Sequence, residues 1–200
     1  LNELESQIEN RFVELIEIES PDLKKFLITT FKPLWSKIRE FSRSIWPAFS
    51  IENELPRSLQ TLSPSDFGFH NSIQKNDGSL CFLDLEYFGW DDPVKLIADF
   101  IWHPGMNLKD VHKKKWVKEA LEIFKKDSEI KTRFLTAWPL YGMRWILILL
   151  NEFREDGWKK RSRARLVDEM KREQILKMQL QKAANICTFL RDQNLECPYV

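Results

Sequence analysis

Three features of the sequence predict a mainly α-helical α+β chain with one small β-hairpin. Apolar residues recur at steps of three and four in the opening and closing stretches, the period of a helix with one buried face. The period is lost between about residues 48 and 92, a region punctuated by Pro56, Pro64, Gly68, Gly78 and Gly89. Inside it, Asn76-Asp77-Gly78-Ser79 separates two short extended runs, and Asn, Asp and Gly tolerate the positive φ of a tight turn. At 200 residues, 43% hydrophobic and 30% charged, the chain can bury one core. The expected organisation is a single domain over 1–200, helical at 1–46 and 93–195, with a loop and hairpin at 62–92.

The first helix carries Phe12, Leu15 and Ile16 on one stripe. Ser20-Pro21-Asp22 restarts the chain as a second helix, with Ser as N-cap, Pro in the first turn and an acid beside it. Leu23, Phe26, Leu27, Phe31, Leu34, Trp35, Ile38 and Phe41 form its core face, and Pro33 predicts a kink or break. Trp46-Pro47 ends it. In the hairpin, Leu80-Cys81-Phe82-Leu83 is so continuously apolar that burial on both faces is expected. Asp92-Pro93 opens a helix that His103-Pro104-Gly105 closes. An amphipathic helix follows over 110–126. The most hydrophobic stretch, 128–155, is expected to break at Trp138-Pro139 and to end at Gly157. A long charged helix over 162–190 completes the chain.

Lys and Arg number 31 against 30 Asp and Glu, a balance that argues against a nucleic-acid-binding protein. The basic runs Lys113–Lys115 and Lys159, Lys160, Arg161, Arg163 and Arg165 read as solvated helix faces, with an anionic partner as the sharper alternative. Cys81, Cys187 and Cys197 are too scattered for a disulfide framework, which suits reduced thiols in a cytoplasmic protein. The longest apolar run, Trp145 to Leu150, is far below the ~20 residues of a membrane span.

Chemistry-bearing residues concentrate in the hinge region. Asp66 and Asn71 lie in a loop, and Asp84 leaves the second hairpin strand at its C-terminal end, followed by Leu85 and Glu86. A loop acid, a loop amide and a strand-end acid, gathered by a hairpin, make a set of hard oxygen ligands suited to Mg²⁺. His70 reads as a packing or hydrogen-bonding group. His103 and His112 lack Cys or carboxylate partners at zinc-ligand spacing. Asp99 is either a solvated helix acid or a brace for the loop.

These residues resemble the catalytic core of the protein-kinase-like fold, in its aminoglycoside phosphotransferase and choline kinase branch. Asp66 and Asn71 match the D-x-x-x-x-N spacing of that branch, Asp84-Leu85-Glu86 matches its second motif, and Tyr87 to Pro93 resembles the Gly-Asp-Pro that follows. The resemblance covers nearly the whole chain, as the C-terminal lobe of such a fold. It implies an ATP-dependent phosphotransferase acting on a hydroxyl of a small molecule such as an aminoglycoside, a sugar or a choline-like amine. Asp66 would be the catalytic acceptor of the hydroxyl proton. Asn71 and Asp84 would be the Mg²⁺ ligands, with Glu86 beside them on the nucleotide side. In that branch the acceptor pocket lies among the C-terminal helices, here near Trp102, Trp138, Tyr141, Trp145 and Trp158.

The pattern departs from the family in two places. Pro64-Ser65 stands where the family has His-Gly, and no Gly-rich loop, strand Lys or partner Glu precedes Asp66. With Leu1 at the start, the expectation is a fragment of a longer protein whose N-terminal lobe is absent from this chain. A fragment of that kind is expected to expose apolar surface near Trp35, Trp46 and Phe49 and to self-associate through it. The alternative function is a catalytically silent kinase-like binding or regulatory module.

Overall fold

The computed structural model describes residues 1–48, 51–159 and 171–200. It is mainly helical, with two small antiparallel two-stranded sheets, and it divides into two compact units. One unit comprises residues 1–44 and 142–196, the other residues 45–141 and 197–200. No described helix is long and apolar enough to cross a membrane.

The first unit is helical. Helix α1 spans Asn2–Ile16 and buries Ile8 and Leu15. Helix α2, Pro21–Phe26, starts at Ser20 as the Ser-Pro-Asp signal predicts, although the Ser20 side chain makes no capping bond. Pro33 does not break the helix. The chain passes through one π-helical turn, Leu27–Phe31, into α3, Lys32–Ile45. Lys32 N reaches back to Leu27 O, one residue further than in an α-helix, and the wider turn accommodates a proline that donates no bond and crowds the carbonyl four residues earlier. The charged side of α1 is tied down by Glu5, a buried carboxylate that accepts from Arg39 Nε at 3.0 Å and Arg43 Nη2 at 2.6 Å.

Helix α6, Ile130–Leu149, contributes residues to both units and runs unbroken through Pro139. The expected break is absent because the proline is flanked by Trp138 and Leu140, both fully buried, whose packing outweighs the ~3 kcal/mol that a mid-helix proline costs. A 3₁₀ turn, Leu150–Phe153, follows. Gly157 does not end a helix either, since residues 155–159 are helical. A Cβ there would lie 2.1 Å from Asn151 O, so glycine is required by close backbone approach. The long charged helix is described as α7, Arg172–Asp192, burying Ala183, Cys187 and Leu190. The remainder of that expected helix, with Lys160, Arg161, Arg163 and Arg165, lies outside the described residues.

In the second unit, strand β1, Thr61–Ser63, pairs with β4, Gly89–Asp91, and β2, Ser72–Gln74, pairs with β3, Leu80–Phe82. The β2–β3 hairpin has the expected turn, with Gly78 at φ 84° and Lys75 N bonded to Ser79 O at 2.8 Å. The β1–β4 pair has no alternating apolar run and was not expected. It joins the two ends of the loop, so residues 64–88 form one closed excursion with the hairpin inside it. Burial of β3 on both faces does not hold: Leu80 and Leu83 are 43% and 44% exposed. A two-stranded sheet covers its strands on one side at most; Cys81 and Phe82 are half-buried, and the Phe82 ring centroid lies 4.7 Å from that of Phe67.

Helix α4, Pro93–Trp102, is capped by Asp92, whose Oδ1 accepts from Val94 N at 2.9 Å. It is followed by α5, Asp110–Ile123. Phe67, Phe100 and Trp116 stack into an aromatic cluster that anchors the loop on α4 and α5. Trp102 Nε1 donates to Trp138 O at 2.9 Å, fixing α4 on α6.

Candidate functional site

The loop between β1 and β2 opens with a constrained turn. Ser65 has φ 60°, a left-handed conformation that a non-glycine residue holds only when its surroundings impose it. They do so here: Ser65 N donates to Ser63 Oγ at 3.2 Å, Ser65 Oγ to Tyr87 O at 3.2 Å, and Lys95 Nζ to Ser65 Oγ at 2.8 Å. Lys95 is in turn held by Asp91 at 3.2 Å and by Asp99 at 3.7 Å. Asp99 is therefore a buried brace that reaches the loop through a lysine.

Asp66 comes next, and its two oxygens have separate donors. His70 Nε2 donates to Oδ1 at 2.9 Å, and Asn71 Nδ2 donates to Oδ2 at 3.2 Å and to the Asp66 carbonyl at 3.0 Å. Asn71 Oδ1 accepts no hydrogen bond among the described residues and stays available as an oxygen donor. Leu83 N bonds to Asn71 O at 2.8 Å, extending the hairpin ladder by one step and bringing Asp84 next to this pair in the chain. Asp84 leaves the strand with φ 59° and is exposed. Glu86 is exposed as well. Its hydrogen bond with Tyr87 pushes the Tyr87 phenol above its ordinary pKa.

His103 follows α4 and stacks on His70, the ring centroids 3.7 Å apart and the planes within 7°. Its Nε2 is 3.5 Å from Asp66 Oδ1. Burial, then the neighbouring His70, pushes its pKa down from 6.5 to about 4, so the ring is neutral. Its Nδ1 accepts from Gly105 N at 3.0 Å, which puts the proton of that neutral ring on Nε2, facing the Asp66 carboxylate. Sequence spacing paired neither histidine with Asp66. The His103 contact depends on the end of α4 folding back onto the loop, and the His103-Pro104-Gly105 stop was its trace in the sequence.

Asp66, His70 and His103 offer one atom each within 4.8 Å of one another, which suggests a transition-metal site. Two features oppose it. Ligation through His103 Nε2 needs the proton on Nδ1, where Gly105 N–H already donates. In parallel stacked rings the in-plane lone pairs do not converge on one ion. The cluster is arranged to hold a carboxylate by hydrogen bonds. Asn71 Oδ1 and the Asp84 carboxylate are hard oxygen donors of the kind that Mg²⁺ takes.

The expected acceptor-pocket aromatics are core. Trp102, Trp138, Tyr141, Trp145 and Trp158 are all buried. An aromatic-lined cavity of about 430 Å³ lies instead among Phe69, Phe100, Leu108, His112, Trp116 and Glu119. Trp35 and Trp46 are buried rather than exposed, and Phe49 lies outside the described residues. The exposed large apolar side chains near the site include Phe69, Leu83, Leu85, Tyr87, Phe88 and Trp90. Comparison with protein-family models, curated proteins and solved structures returns no match for this chain.

Proposed function

We propose that the chain is the catalytic lobe of an ATP-dependent phosphotransferase of the kinase-like fold, transferring the γ-phosphoryl group to a hydroxyl of a small molecule. The observation that carries the reading is the linkage of its three polar residues in one closed loop. Asn71 holds Asp66 with its amide nitrogen and leaves its amide oxygen open, while the hairpin ladder leads directly to Asp84. Ser65 adds support. It stands where the family has glycine, and its φ of 60° is the conformation glycine adopts without strain. The exposed apolar side chains after β3 offer a surface on which a nucleotide-binding lobe can seat.

In this reading Asp66 orients the acceptor hydroxyl and takes its proton, each carboxylate oxygen keeping a lone pair beyond the hydrogen bond it already accepts. Asn71 and Asp84 would hold Mg²⁺, which when bound neutralises charge on the nucleotide phosphates. Glu86, two residues beyond Asp84, would stand on the nucleotide side in this reading.

The test is transfer of labelled phosphate from Mg-ATP to a panel of aminoglycosides, sugars and amino alcohols by the full-length protein. Asp66→Asn should lower kcat by ~10²–10⁴-fold with little change in nucleotide KM, as expected for a lost base. Asp84→Asn should instead raise the nucleotide KM, because a metal ligand acts in the ground state too. Full activity of Asp66→Asn makes Asp66 a turn residue, and binding of Mg-ATP without transfer to any hydroxyl favours the silent module.

A further inference from the structure

We infer that His70, held in plane by His103, is the positioning residue of the Asp66 carboxylate, an inference that rests on the phosphotransfer reading. Of the described contacts to that carboxylate, the one from His70 Nε2 is the shortest, at 2.9 Å on Oδ1. The ring that supplies it is held by a stacked neighbour and fits a space kept open by glycine. His103 covers one face in the parallel stack, and its own Nε2 lies 3.5 Å from the same oxygen. Gly68 leaves room for the other nitrogen: a Cβ there would lie 2.8 Å from His70 Nδ1 and 2.3 Å from Met106 Sδ. A Cβ on Gly105 would lie 2.9 Å from the His103 ring and 3.5 Å from His70 Cβ. The space left by the two glycines admits the ring, and the His103 stack and the hydrogen bond to Asp66 then set its orientation.

A ring held in this way has a functional consequence for an aspartate in a loop. Asp66 is 43% exposed at its side chain, and without a fixed donor its carboxylate can rotate between χ wells in contact with water. A base must meet its proton within hydrogen-bond reach in a defined direction, and a shell of locked neighbours supplies that direction. His70 fixes Oδ1 while Asn71 fixes Oδ2, so the plane of the carboxylate is set by two donors from one short segment.

The experiment uses the full-length protein with Mg-ATP and the same acceptor panel, reading ADP release, together with ¹⁵N NMR of the histidine rings. His70→Phe keeps an aromatic ring for the stack and removes the donor. It should lower kcat by ~10–100-fold at unchanged nucleotide KM. His70→Gln restores an N–H near the position of Nε2 and should recover most of that loss. NMR should show His70 and His103 protonated at Nε2, with the His70 signal shifted in Asp66→Asn. A His70 ring protonated only at Nδ1, or equal losses in the Phe and Gln variants, overturns the positioning role. Absence of turnover in the unaltered protein overturns the phosphotransfer reading and the catalytic use of the pair with it, whereas the NMR result alone decides whether His70 holds Asp66.

Discussion

Arg133 and Asp92 form a two-point ion pair, Nε to Oδ2 at 3.0 Å and Nη2 to Oδ1 at 3.2 Å. The Arg133 side chain is fully buried, and its Nη2 also donates to Asp127 Oδ2 at 2.6 Å. Asp92 caps α4 as well, so one guanidinium connects the start of α4, the turn before α6 and α6 itself. Removing Arg133 leaves the buried Asp127 carboxylate without its cation. Arg133→Met should therefore cost about 3–5 kcal/mol in urea denaturation, and Arg133→Lys should recover only part, since an ammonium cannot make the planar fork. A loss below ~1 kcal/mol would show that water reaches this network.

Ser65 offers a test of backbone strain immediately before Asp66. Both Ser65→Ala and Ser65→Gly lose the hydrogen bond from Lys95 Nζ, but only alanine retains a Cβ at φ 60°. The glycine variant should be the more stable of the two by ~1 kcal/mol in thermal or chemical denaturation. Equal stabilities would mean that residue 65 does not sit in the left-handed region.

Gly157→Ala should destabilise the protein even though alanine is the better helix former. The new methyl group meets Asn151 O at 2.1 Å and Asn151 C at 2.8 Å, and no rotamer relieves an overlap with backbone. The expected loss is ~1–3 kcal/mol, the usual range for overpacking. A gain in stability would mean that the turn at 150–153 moves aside freely.

His103 should make stability depend on pH in the acid range. Its pKa is depressed in the folded protein, chiefly by burial and then by His70, with Asp66 opposing. The unfolded chain therefore takes up the proton first. The contribution is complete above pH 6.5 and is lost as pH falls toward about 4. His103→Phe removes the titrating group, so the difference between parent and variant stabilities should shrink over that window. A difference independent of pH would place His103 in contact with solvent.

The sequence by itself determined the helical frame and the hairpin, because their signals are local. Ser20-Pro21-Asp22, Asp92-Pro93 and Asn76-Asp77-Gly78-Ser79 act through the conformations of a few adjacent residues, and each lies at an observed boundary. The residues of the candidate site were legible for the same reason: Asp66 and Asn71 are near in sequence, and a hairpin registers Asn71 against Leu83, next to Asp84.

What only the tertiary structure decided are the outcomes that depend on a remote partner. Pro33 and Pro139 looked like helix breakers, but a π turn absorbs one and buried Trp138 and Leu140 hold the other. Leu80 and Leu83 looked like core, but strand burial depends on what covers the sheet. The β1–β4 pairing and the approach of His103 to Asp66 join residues far apart in sequence, with no spacing rule to reveal them. Ser65 is the sharpest case: only the folded loop shows that this serine occupies a conformation suited to glycine, and that Lys95 helps to hold it there.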